Sequence, residues 1–201
     1  MEPVSGLKSE IFRPLVTLVI PGAVSIAPYI LVTIAKIPAS RVFWHHHPTV
    51  TAAVVLSAIT AAGLALEDLG ARIEESGWDV ILRKENEHFD IEWRRYLRLR
   101  TNDEIIAQRY VRSLITRMKF ELAMVPALVA HLIGLNWVNS ILGVLNKTEI
   151  LLVSAALLVV ASYLLVESLG SARTLMNRRQ DVVLACHPEA EPPFPEGKTQ
   201  L

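Results

Sequence analysis

The sequence contains very little cysteine, and it lacks the common signatures of catalysis. Its 201 residues include one cysteine, Cys186, so the chain has neither a disulfide framework nor enough thiolates for a cysteine-based zinc site. A glycine-rich phosphate loop, a nucleophile elbow, a Cys/His dyad and an HExxH motif are also missing. The consecutive His45, His46 and His47 do not share a helix face, which makes them poor ligands for one metal ion. We therefore expect no enzyme, no metal site and no cofactor.

Charge is missing from four long segments of the chain. The sequence is 52% hydrophobic with a mean hydropathy of +0.37, although 20% of its residues are charged. Segregation of this kind is typical of a multi-pass membrane protein, because a helix needs about 20 apolar residues to cross the bilayer core. The predicted division is a cytoplasmic segment at 1–13, two spans within 14–66, a charged domain at 67–119, two further spans within 120–166, and a cytoplasmic tail at 167–201.

The charged domain, residues 67–119, is the part that the spans anchor. It holds 11 of the 20 Lys and Arg residues and 11 of the 20 Asp and Glu residues, so it cannot lie in hydrocarbon. A capping box at Thr101 to Glu104 predicts that a helix begins near residue 102, and no residue between 119 and 121 stops it before the third span. The predicted fold is an all-α membrane protein with four transmembrane helices and a cytoplasmic helical insertion between helices 2 and 3.

Lysine and arginine are distributed unequally between the two sides of the predicted membrane. The N-terminal segment, the charged domain and the tail together hold 17 of them, whereas the two short connections hold 3. By the positive-inside rule, the charged domain and both termini are cytoplasmic, and we expect a multi-pass protein of a bacterial inner membrane. The proline-rich end of the tail is expected to be disordered after about residue 187.

Six polar residues in or beside the spans are candidates for a pore or its vestibule. Carboxylates at the mouth of a pore concentrate cations, and polar side chains inside a span usually face protein or water rather than lipid. A second interpretation remains open, in which the carboxylates pair within the chain and the other polar groups form hydrogen bonds between helices. The candidates are Ser57, Glu67, Asp68, His131, Asn136 and Glu167.

A short stretch of the charged domain combines arginine with aromatic residues. Arginine binds phosphate through two parallel hydrogen bonds and aromatic rings stack on bases, so this stretch suits a nucleotide or a short oligonucleotide. The alternative is a helix beside the membrane that touches lipid headgroups, with nearby acidic residues satisfying some of the arginines. The candidate ligand-binding residues are Trp93, Arg94, Arg95, Tyr96, Arg98 and Arg100.

The second predicted span carries small residues at every fourth position. A stripe of this kind, here Ala53, Ser57, Ala61 and Ala65, lets another helix backbone approach closely. Because four helices enclose too little space for an aqueous path, conduction requires a homo-oligomer. The leading hypothesis is an oligomeric ion channel or membrane-permeabilising effector that the charged domain gates.

This general plan resembles that of the small multi-pass membrane effectors of bacterial anti-phage systems, in which a cytoplasmic module responds to a nucleotide or nucleic-acid signal. The resemblance covers the arrangement of spans and charged domain and no motif, so it implies no functional residue. The competing hypothesis is a non-conducting membrane anchor or scaffold whose charged domain binds a cytosolic partner protein. Equal numbers of acidic and basic residues in that domain favour the scaffold, because a site for polyanions is expected to be basic.

Overall fold

The chain folds into helices, and four of them are long and apolar enough to cross a membrane. The computed structural model describes residues 15–86, Ile91 and residues 106–186, with the side chains of 106–110 and 182–186 left out. The described residues contain no strand, which confirms the prediction of an all-α chain with four candidate spans. The helices are α1 (Leu15–Lys36), α2 (Pro38–His46), α3 (Pro48–Glu85), α4 (Ile106–Leu142) and α5 (Lys147–Cys186).

Three of the helices are almost twice as long as the apolar core of a membrane is thick. α3, α4 and α5 have 38, 37 and 40 residues, so each extends about 55–60 Å against about 30 Å of hydrocarbon. The apolar half of each helix is long enough to cross the bilayer core, and the charged half extends beyond that length. The continuity of α4 confirms the prediction that no break separates the charged domain from the third span. α5 continues as a helix through the predicted tail as far as Cys186.

The charged halves of α3, α4 and α5 pack together around an apolar core of their own. We call this unit the charged bundle and define it as residues 67–86 of α3, 111–122 of α4 and 167–181 of α5. Its buried apolar residues are Leu82, Val111, Leu114, Met118, Leu122, Ala172 and Leu175. The charged bundle is therefore built from the same helices that form the spans.

α4 lies at the centre of the molecule. It makes its largest contact with α5 and also packs against α1 and α3. The apolar half of α5, by contrast, touches little else, and side chains such as Leu151, Val159 and Val166 are 68–70% exposed. In a bilayer this apolar surface is covered by lipid or by another protein chain.

Two glycines allow α1 and α3 to approach each other closely. A Cβ atom added at Gly22 would lie 2.0 Å from the carbonyl oxygen of Ile59, and one added at Gly63 would lie 2.1 Å from that of Leu18. Only residues without a side chain permit such backbone contact between helices. The predicted stripe from Ala53 to Ala65 is exposed and points away from α1.

The connection between the first two spans is itself helical, a feature that the sequence analysis did not predict. Ile37 is extended and precedes Pro38, and His47 precedes Pro48, so that each proline stands in the first turn of a helix. Proline is tolerated in this turn because its missing N–H would have no helical partner there. All of α2 is exposed or half-buried.

A tight turn joins α4 to α5. Gly143 adopts a φ of 59°, the left-handed conformation that commonly ends a helix. The next helix begins with a capping box, because Asn146 Oδ1 accepts the N–H groups of Thr148 and Glu149 while Glu149 Oε2 accepts the N–H of Asn146. The last helix therefore begins three residues before the predicted span at Ile150.

Candidate functional site at the membrane boundary

Five charged residues and one serine meet where α3, α4 and α5 change from apolar to charged. We call these six residues the neck cluster: Glu67, Arg117, Lys119, Glu121, Glu167 and Ser171. Lys119 Nζ lies 3.5 Å from Glu67 Oε1, and Arg117 donates hydrogen bonds to both Glu121 and Glu167. The neck cluster thus links all three helices of the charged bundle at the level where they enter the apolar region.

The spacing of the two cations explains why α4 is held from two sides. Residues two apart on a helix point about 200° apart, so Arg117 and Lys119 face different neighbours. Glu67 follows the apolar half of α3 and pairs with Lys119, while Glu167 follows the apolar half of α5 and pairs with Arg117. α3 and α5 thus each hold α4 through one carboxylate and one cation.

Glu121 is the most buried carboxylate of the neck cluster. Its side chain is 5% exposed and accepts hydrogen bonds from Arg117 Nε at 2.8 Å and from Ser171 Oγ at 2.9 Å. A buried carboxylate is tolerated only when its oxygens are satisfied, because the loss of water around a charge costs several kcal/mol. Arg117 and Ser171 together satisfy both oxygens and tie α5 to α4.

Two further polar contacts join helices of the charged bundle outside the neck cluster. Trp78 Nε1 donates a hydrogen bond to Ser168 Oγ at 3.0 Å, and Arg173 Nε donates to Glu85 Oε2 at 3.1 Å. The hydrogen bonds from Arg173 hold the pKa of the Glu85 carboxyl below its usual value. Burial raises the pKa of Glu74, with the nearby Asp79 adding to the effect. Both direct contacts join α3 to α5.

His131 satisfies a backbone carbonyl that Pro28 leaves without a partner. Proline has no N–H, so the carbonyl four residues earlier in α1, that of Val24, loses its helical donor. His131 Nδ1 lies 2.7 Å from Val24 O, and because a carbonyl only accepts, Nδ1 carries the hydrogen. One turn away, Tyr29 donates a hydrogen bond to Ala130 O at 3.0 Å. These contacts hold the part of α1 around Pro28 against α4.

Replacing His131 with alanine is expected to destabilise the protein by about 0.6–1.7 kcal/mol beyond the loss of packing, the range measured for hydrogen bonds between membrane helices. Pro28→Ala restores the N–H for Val24 O and serves as the second arm of a double-mutant cycle. We expect the polar part of the cost to disappear in the Pro28→Ala background. Reversible unfolding in mixed micelles measures each term, and an equal cost of His131→Ala in both backgrounds would contradict the assignment.

The remaining predicted pore residues make contacts within the chain. Asp68 pairs with Arg72 on the exposed face of α3, with 3.0 Å between the charged groups. Ser57 Oγ donates to Ala53 O and Asn136 Nδ2 donates to Leu132 O, each within its own helix. All three side chains remain exposed in a single chain. The Asp68 pair is of the kind that the alternative interpretation names, whereas the Ser57 and Asn136 bonds do not join two helices. A role in a pore remains a prediction for all six candidates.

The predicted anion-binding stretch from Trp93 to Arg100 lies outside the described residues. Among the side chains that are described, no group of three His, Cys, Asp or Glu residues is arranged to hold a metal ion. A small cleft between α3 and α4 beside the neck cluster is lined by Glu67, Gly70, Ala71, Glu74, Lys119 and Leu122. Comparison with protein families, curated proteins and solved structures found no match.

Proposed function

We propose that the chain is one subunit of a homo-oligomeric ion channel in a bacterial inner membrane, and that the charged bundle, on the cytoplasmic side, gates it. The observation that carries this proposal is the continuity of α3, α4 and α5 from the charged bundle into the apolar region. The neck cluster joins the three helices at the boundary. A change in the charged bundle therefore shifts the apolar halves as a unit.

The ion pathway in this proposal runs between subunits rather than through one. Within a single chain the polar groups of the spans are satisfied by close contacts, such as that of His131 with Val24 O, and the glycine contacts bring α1 and α3 together without a gap. The outward face of α3 carries Ser57 and, at its charged end, Asp68. Repeated around an axis, this face lines a path with a ring of carboxylates at one end.

The trigger that we propose is an anionic ligand, a nucleotide or short oligonucleotide, bound by the arginines and aromatic residues between Trp93 and Arg100. The support for it is the sequence, together with the resemblance to membrane effectors of anti-phage systems. The stretch lies between α3 and α4, so a ligand bound there acts directly on two of the three helices of the charged bundle.

Neutralising Glu67 and Asp68 together is expected to lower cation conductance several-fold without changing assembly. A ring of carboxylates raises the local cation concentration, and the Glu67→Gln and Asp68→Asn substitutions remove that charge while keeping the shape. Single-channel recording in planar bilayers, with the oligomeric mass measured on the same sample, gives both quantities. The matched control is Glu75→Gln, which neutralises another exposed carboxylate of α3. Unchanged conductance in the double variant would rule out the vestibule.

The alternative function is a non-conducting scaffold, and the charge balance of the charged bundle favours it. Each of its three helices contributes three cations, and the nine cations are matched by nine carboxylates. A polyanion gains no net attraction from such a surface, whereas a protein partner with alternating charges fits it. Titration of the full-length protein with oligonucleotides at low and high salt separates the two functions. Salt-sensitive binding supports the channel's proposed trigger, and its absence supports the scaffold.

A further inference from the structure

The helix α2 contains the largest cluster of positive and titratable side chains on the surface opposite the charged bundle. Arg41 and the three consecutive histidines from His45 to His47 lie in or directly after it, and Lys36 precedes it. The main contacts of α2 are with α1 and α3, and neither α1 nor the part of α3 between Pro48 and Leu66 contains an acidic side chain. No acidic side chain therefore faces this cluster from either helix.

The position of α2 at the membrane surface follows from its two neighbours. It is joined to α1 by Ile37 and to α3 by His47, and both neighbouring helices are candidate spans. Ser40 Oγ lies 2.7 Å from Ile37 O and 3.1 Å from Thr33 O, and Arg41 Nη2 donates to Ile34 O at 3.4 Å, so the start of α2 lies against the end of α1. Because both of its ends are tied to candidate spans, α2 must lie at the membrane surface where α1 ends and α3 begins.

The exposed side of α2 is apolar as well as basic. Val42 and Phe43 are 58% and 46% exposed, and Ile37 just before the helix is 49% exposed. Trp137 of α4 is also exposed and lies near Tyr29 of α1, with 6.0 Å between the ring centres. Aromatic and apolar side chains of this kind insert between lipid headgroups, while basic side chains beside them contact phosphates.

We propose that α2 is an anionic-phospholipid binding surface, in which Val42 and Phe43 enter the headgroup layer and Arg41 and the histidines bind lipid phosphate. The lipids bound are those of the leaflet on the side of the membrane where α1 ends and α3 begins. The proposal is independent of whether the protein conducts ions.

The test uses the full-length protein in phosphatidylcholine membranes that contain a trace of spin-labelled lipid. The fraction of motionally restricted label gives the association of phosphatidylglycerol relative to phosphatidylcholine. A basic residue at a membrane surface contributes about 1 kcal/mol, which corresponds to about a five-fold preference at 25 °C. We expect the parent protein to prefer phosphatidylglycerol over phosphatidylcholine.

Two variants assign the preference to α2. Replacing Arg41 and all three histidines with glutamine is expected to lower the preference several-fold. Arg72→Gln, which removes an exposed arginine that is already paired with Asp68, is the control and is expected to leave the preference unchanged. An equal preference in the α2 variant and the parent, or no preference in the parent, would overturn the proposal.

Discussion

Gly63→Ala is expected to be among the most destabilising single substitutions in the chain. The added Cβ would lie 2.1 Å from Leu18 O and 2.7 Å from Leu18 C, and these are backbone atoms that no side-chain rotation can move away. α1 and α3 must separate to make room, which also disturbs the contact at Gly22 about one turn along α1. Overpacking of this kind typically costs about 1–3 kcal/mol, and backbone contact places the expected loss at the upper end. Unfolding in mixed micelles measures it.

Gly170→Ala is the matched control for this prediction. Gly170 is also a helical glycine, but a Cβ there would meet nothing within 4 Å. Alanine is favoured over glycine in a helix by about 1 kcal/mol, so this variant should be neutral or more stable. Equal losses for Gly63→Ala and Gly170→Ala would contradict the close packing of α1 against α3.

Arg117→Ala is expected to destabilise the protein by about 2–3 kcal/mol. It leaves Glu121 with only the hydrogen bond from Ser171 Oγ, although the carboxylate is 5% exposed. Removing one member of a fully buried ion pair costs about 3–5 kcal/mol, and we reduce that range because Arg117 itself is 54% exposed. Reversible unfolding gives the free energy.

Two further variants separate the buried charge from the loss of an arginine. Arg72→Ala removes the partner of Asp68 from an exposed pair, and it should change stability by no more than about 0.5 kcal/mol. Glu121→Gln removes the buried charge while keeping the acceptor for Ser171, so Arg117→Ala should cost much less in that background. If Arg117→Ala and Arg72→Ala have equal effects, Glu121 is not held as the structure indicates.

Several elements could be predicted from the sequence because their signals are local. The four apolar segments predicted the four candidate spans. The absence of any helix-stopping residue between 119 and 121 predicted that α4 is continuous. One other local signal was overlooked. Asn146 and Glu149 form a capping box, which has the same sequence spacing as the motif noticed at 101–104, and it marks the start of the last helix.

The close contacts between helices could not be predicted because they depend on which faces meet. The stripe from Ala53 to Ala65 is the more regular pattern, yet the contact with α1 uses Gly63 and leaves the stripe exposed. Pro28 indicates that Val24 O needs a donor, but the sequence does not say that His131 of α4 supplies it. The spacing of residue types along a helix shows which face is suited to packing, but it does not show which other helix packs there.

The candidate site was predicted in part. Glu67 and Glu167 were candidates from the sequence, which left open whether they pair within the chain, and the structure shows both in contact with cations of α4. Glu121 was not among the candidates, and its carboxylate accepts a hydrogen bond from Ser171, which is 50 residues away. Contacts between groups so far apart in sequence require the packing of α4 against α5.

The most direct test of the proposed gating is to record conductance while the charged bundle is locked. Glu85 and Arg173 form an ion pair that joins α3 to α5, and cysteines in their places, in a Cys186→Ser background, can be joined by a reversible bifunctional thiol reagent. We predict that the unlocked protein conducts, that cross-linking changes the open probability at least several-fold, and that reduction restores it. Identical conductance in the locked and reduced states, or no conductance in either, would contradict the account.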